Sequence, residues 1–82
     1  MNQLQNNIKN IIIKTLEIKN KKINNTTHLY KELNLDSLDI IEIYMAIEEE
    51  FQLEIPEEIS ENFKNIEDIA NYINKIKKYE KK

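Results

Sequence analysis

The chain has 82 residues, no cysteine and a single histidine, His28. Residues 1–82 suit one domain with a small core, because a chain of this size buries only about 60% of its unfolded surface. The lack of thiols excludes a disulfide framework and thiolate metal sites, and one imidazole is too little for a zinc centre or a histidine-based triad, so neither a metal site nor catalysis by this chain alone is expected.

The formal net charge of −3 averages three unlike segments. Residues 1–31 hold six lysines against Glu17, and residues 64–82 hold six against Glu67, Asp68 and Glu80. Residues 32–63 hold eleven acids and no basic residue. That acidic middle disfavours nucleic acid and favours a basic protein partner. No apolar run approaches the ~20 residues of a membrane span, so no membrane insertion is expected. The polar start Met1-Asn2-Gln3 suggests no cleaved secretory signal.

Ile8, Ile11, Ile12 and Leu16 recur at helical spacing with polar residues between them, which predicts a first amphipathic helix over 3–18. Asn20 to Thr27 has no periodicity and reads as a long loop, and Leu29 and Leu33 allow a short helical turn before Asn34. Ile43, Ile47 and Phe51, with Ile40 and Leu38 flanking, mark a second helix from Ser37 to Phe51, with Asp39, Glu42 and Glu49 on another face. Asp36 suits its N-cap, and Asp39 adds negative charge in the positive first turn. Pro56 at a first helical position, followed by Glu57 and Glu58, predicts a short third helix over about 56–61. Asn65 suits the cap of a fourth, in which Ile66, Ile69, Ala70, Ile73 and Ile76 fall on one face and lysines gather near the end. Residues 77–82 read as a frayed tail. No strand-like alternation or internal repeat appears. The expected fold is all-α, a small four-helix bundle of three principal helices and a short one, with a long loop between the first two. With no glycine in the chain, helix stops are expected at asparagines: Asn20, Asn34 and Asn74.

The informative segment is Asp36-Ser37-Leu38 at the head of an acidic helix that ends Met45-Ala46-Ile47-Glu48-Glu49-Glu50-Phe51, followed by Glu54-Ile55-Pro56 and by Ile69-Ala70-Asn71-Tyr72-Ile73. Asp-Ser-Leu alone is a weak signal, and its plain reading is an N-cap. With the later segments at this spacing, the chain closely resembles the acyl carrier protein family over nearly its whole length, most of all the free-standing carriers of fatty acid synthesis.

The resemblance implies that Ser37 carries 4′-phosphopantetheine in phosphodiester linkage, its terminal thiol holding growing fatty acyl chains as thioesters. The residues agree with a passive role: Ser37 has no base nearby in sequence to activate it, so another enzyme must do so. The resemblance also assigns Asp36, Asp39, Glu42, Glu48 and Glu49, with apolar Leu38 and Met45, to docking basic patches on partner enzymes. Those partners are a phosphopantetheinyl transferase (holo-carrier synthase), malonyl transacylase, ketosynthases, reductases, a dehydratase and acyltransferases. It places the acyl chain in a cleft between the second and third helices, for which Ile47, Ile55 and Ile59 are the candidates. A monomer in the cytoplasm, or in an organelle matrix after removal of an address, is expected.

Two departures stand out. Asn34-Leu35 precedes Asp36 where the family commonly has a glycine, and Tyr44 occupies a position usually aliphatic. Asparagine tolerates the same backbone conformation at modest cost. A specialised carrier for polyketide, nonribosomal peptide or D-alanyl transfer is the nearest alternative. An unmodified acidic helical adaptor for basic proteins is an alternative of another class. A calcium loop fails on spacing, since Asp36 and Asp39 stand three apart and the alternating oxygen ligands and central glycine are missing.

Overall fold

The computed structural model describes residues 2–17 and 23–77, and the described residues are all-helical apart from turns and connections. Four helices run in order: α1 (Gln3–Leu16), α2 (Ser37–Phe51), α3 (Glu57–Ser60) and α4 (Ile66–Lys77).

Each principal helix starts where a side chain can take a free first-turn amide. Asn2 caps α1 by accepting from the Gln5 N–H at 2.8 Å, and Gln5 reaches back to the Asn2 N–H at 3.4 Å. Asn65 caps α4 through the Asp68 N–H at 2.9 Å, as its sequence position suggests. The helix stops differ from expectation. α1 ends at Leu16 rather than at 18, because Glu17 turns left-handed with φ 55° and returns its N–H to the Ile13 carbonyl. α2 stops the same way at Gln52, φ 56°. Asn34 takes the left-handed region as expected, φ 58°, after the short turn that precedes it, whereas Asn74 lies inside α4. Asn20 lies outside the described residues, as does the expected tail beyond Lys77. α3 is shorter than expected: Pro56 sits before it as an N-cap with ψ 149°, instead of occupying its first position.

α1 packs against both α2 and α4. One hydrophobic cluster results, built from Leu4, Ile8 and Ile12 of α1, Ile40, Ile43, Tyr44, Ile47 and Phe51 of α2, and Ile66, Ile69, Ala70 and Ile73 of α4. Burying each isoleucine contributes about 2 kcal/mol, so the isoleucine-rich faces hold the bundle together. The connection before α2 is well fastened from Ile23 onward. Ile23 and Leu29 enter the core, the Leu29 N–H donates to the Lys64 carbonyl at 2.8 Å, and the Glu67 N–H donates to the Asn25 carbonyl at 2.9 Å. His28 begins the short turn foreseen there: its Nδ1 accepts from the Lys31 N–H at 3.2 Å.

α3 buries no residue of its own. Two phenols hold its segment: Tyr44 of α2 donates to the Ser60 carbonyl at 3.4 Å, and Tyr72 of α4 donates to the Glu54 carbonyl at 3.2 Å. Both rings meet Phe63, with centroids 5.7 and 5.6 Å away. This aromatic trio closes the end of the core beneath α3.

Candidate functional site

Ser37 is the first residue of α2 and is exposed. Its position is set by the residues on either side. The Asp36 carboxylate accepts from the Asp39 N–H at 2.9 Å, and the Asp39 carboxylate accepts from the Asp36 N–H at 3.3 Å. This capping box fixes the turn that presents Ser37, and it directs both carboxylates toward backbone amides. His28, the single histidine of the chain, is engaged through Nδ1 in its own turn, and Ser37 itself is exposed. At a helix N-terminus the first amides lack intrahelical partners, and the helix dipole favours a phosphate attached there.

Below Ser37, α2 carries two adjacent stripes. Leu38, Ile41 and Met45 are 65%, 51% and 61% exposed, an unusual concentration of apolar surface on one helix face. Glu42 and Glu49 are exposed beside it, with Asp36 at the helix head. Glu48 differs from the other acids. It is half-buried, and its Oε2 accepts from the Ile55 N–H at 2.7 Å, fastening the connection between α2 and α3.

A groove of about 340 Å³ opens between α2 and α3, lined by Ile41, Tyr44, Met45, Glu48, Ile55, Glu57 and Ser60. Of the residues expected at an acyl cleft, Ile55 lines it. Ile47 is fully buried in the core, and Ile59 packs half-buried against the core. Ile41 and Tyr44 are groove residues that sequence reasoning did not assign. Their signal was present, since they stand four and seven residues after Ser37 and so share its helical face. Burial raises the Tyr44 phenol well above its ordinary pKa, with Tyr30 and Asp68 adding in the same direction, so it is a neutral hydrogen-bond donor at any physiological pH.

Comparison with known proteins agrees with this arrangement. The chain matches the family described as "Phosphopantetheine attachment site" over residues 6–73, a span that includes Ser37 and all of α2 and α3. The chain belongs to the acyl carrier protein family. Among relatives, it is 46% identical over 74 residues to the acyl carrier protein of Buchnera aphidicola subsp. Schizaphis graminum, covering 90% of this chain and 94% of that protein. It is 43% identical over 68 residues to the acyl carrier protein of Bdellovibrio bacteriovorus, covering 83% and 87%. A solution structure from Anaplasma phagocytophilum, provisionally named as an acyl carrier protein, superposes with a TM-score of 0.82 at 31% identity, covering 92% of this chain and 89% of that one.

Members of the acyl carrier protein family are carriers of 4′-phosphopantetheine, which supplies the thiol that this cysteine-free chain lacks. The exposed serine at the N-terminus of α2 fits that group. Among the described residues no group of three or more histidine, cysteine, aspartate or glutamate side chains could hold a metal ion. No helix among them is long and apolar enough to cross a membrane.

Proposed function

We propose that this chain is a free-standing acyl carrier of the fatty acid synthesis type, with Ser37 as its attachment residue, acting in the cytoplasm as a substrate of other enzymes rather than as a catalyst. The observation that carries the reading is the exposed Ser37 at the first position of α2, set by the Asp36–Asp39 capping box within the span matched by the family. In the modification, the Ser37 hydroxyl oxygen bonds to the phosphorus next to the pantetheine of coenzyme A. The phosphoanhydride bond breaks, adenosine 3′,5′-bisphosphate leaves, and the serine proton goes to a base of the transferase. Once attached, the arm supplies a thiol for thioester chemistry.

The chain's own residues then position and recognise. The Asp36–Asp39 box holds the attachment turn, and Leu38, Ile41 and Met45 offer an apolar contact to a partner. Asp36, Asp39, Glu42 and Glu49 supply negative charge that steers basic docking patches on the transferase, transacylase, ketosynthases and other enzymes of chain elongation. Glu48 adds its charge to that field while its carboxylate braces the Ile55 connection.

Intact-mass analysis after incubation with coenzyme A and a phosphopantetheinyl transferase tests the assignment. One added arm on the wild-type chain and none on Ser37→Ala is expected. An unmodified wild-type mass refutes it and favours the adaptor reading, and addition that persists in Ser37→Ala refutes Ser37 as the attachment residue.

A further inference from the structure

Tyr44 joins three features that the attachment site alone does not explain. Its side chain is buried, 8% exposed, although its helical neighbours Ile41 and Met45 are among the most exposed apolar residues described. Its ring forms a wall of the groove between α2 and α3. Its hydroxyl reaches the Ser60 carbonyl of α3 at 3.4 Å, a long contact at the weak end of hydrogen bonding.

The groove is continuous with the attachment site along one helix face. Ile41, Tyr44, Met45 and Glu48 follow Ser37 by four, seven, eight and eleven residues, which places all five within one stripe of α2. Tyr44 lies about 10 Å along the helix axis from Ser37 at 1.5 Å per residue. An apolar chain carried on an arm at Ser37 and folded back along this face meets Ile41 and Met45 first, then the Tyr44 ring, with Ile55 beside it. Beyond the ring stands Phe63, in edge contact with Tyr44 at 5.7 Å, and behind that the packed core. The far wall is α3, which buries no residue of its own and so resists displacement weakly.

We infer that Tyr44 is a specificity-determining residue of this carrier: its ring sets the depth of the groove that shelters the apolar chain borne on Ser37, and so limits the length of acyl chain held out of water. This rests on the carrier reading of Ser37. A smaller aliphatic side chain at position 44 opens the space between Met45, Ile55 and Phe63 and admits a longer chain. Removing the hydroxyl alone frees Ser60 of α3 from Tyr44 but leaves the ring in place, so the limiting length stays.

The full-length protein, its Tyr44→Val and its Tyr44→Phe variants are each loaded at Ser37 with saturated acyl-pantetheine arms of increasing length. Loading is verified by intact mass, and the thermal midpoint is measured against the unacylated arm. Each methylene that enters the groove raises Tm by up to about 3–6 °C, and the gain stops where the chain no longer fits. The expected result is a plateau at a longer chain in Tyr44→Val than in the wild type, with Tyr44→Phe keeping the wild-type plateau. Coincident plateaus in Tyr44→Val and wild type, or a Tyr44→Phe plateau displaced as far as that of Tyr44→Val, overturn the inference. Ring-proton shifts of Tyr44 in the wild-type protein give a test that needs no variant to fold: they must move as the chain lengthens, and their constancy across all lengths also overturns it. Failure of the wild-type protein to load at Ser37 refutes the carrier reading itself, whereas loaded proteins with identical length profiles refute only the role of Tyr44.

Discussion

Replacing Glu48 separates a residue that holds the fold from one that decorates the surface, because Glu49 beside it carries the same charge. The Glu48 carboxylate accepts a 2.7 Å hydrogen bond from the Ile55 N–H, a half-buried contact across the connection from α2 to α3. A hydrogen bond to an ionised acceptor contributes about 1.5–3 kcal/mol, and its loss also leaves the Ile55 amide without its acceptor. Glu48→Ala should therefore destabilise by about 2 kcal/mol. Glu49→Ala, which removes an exposed side chain with the same helix propensity, should stay within about 0.5 kcal/mol. For a domain of this size, whose total stability is about 4–12 kcal/mol, the Glu48 effect is a large fraction. With a urea m-value of about 1 kcal/mol per molar, the unfolding midpoint moves by about 2 M, and Glu48→Gln, which keeps a neutral acceptor, falls between. Urea titrations of the three variants, followed by circular dichroism with m held constant, measure this. Equal midpoints for Glu48→Ala and Glu49→Ala would show that the 2.7 Å contact does not hold the connection, and would return Glu48 to the surface acids.

Gln52→Gly should stabilise by about 0.5–1 kcal/mol, because Gln52 closes α2 in the left-handed region at φ 56° where a side chain is penalised and glycine is not; Gln52→Ala should not, and thermal unfolding distinguishes the two. The raised Tyr44 pKa predicts alkaline destabilisation of defined sign. The folded state keeps the phenol protonated while the unfolded chain ionises it near 10, so this stability is fully present below pH 10 and declines above it as pH rises toward the folded value, by at most about 1.4 kcal/mol per pH unit. Unfolding titrations from pH 9 to 12 should show a shallower decline in Tyr44→Phe than in the wild type. Association with a phosphopantetheinyl transferase should weaken steeply between low salt and 0.5 M, since exposed charges are screened beyond about 10 Å at 0.1 M; salt-independent association rates would refute steering by the α2 acids.

Where the chain carries a strong local pattern, the sequence alone was decisive. The 37–51 extent of α2, the Asp36 cap and the Asn65 cap all follow from helical spacing and from side chains able to take first-turn amides, and the structure has them as read. Ser37 was legible for the same reason, since its position depends on the residues immediately around it. The helix stops were less so. Without glycine, any residue can be forced into the left-handed region when packing requires it, and the fold placed Glu17 and Gln52 there to end α1 and α2, beside Asn34 before α2. The groove between α2 and α3 was the least legible part. Whether an isoleucine lies in the core or lines a groove depends on where α3 comes to rest, and α3 is a four-residue helix placed by tertiary contacts. Those contacts are the Glu48 carboxylate on Ile55, and Tyr44 and Tyr72 on the carbonyls of Ser60 and Glu54. Sequence spacing could put Tyr44 on the face of Ser37. Only the position of α3 made it a wall of the groove, because that role requires partners sixteen or more residues away in the chain.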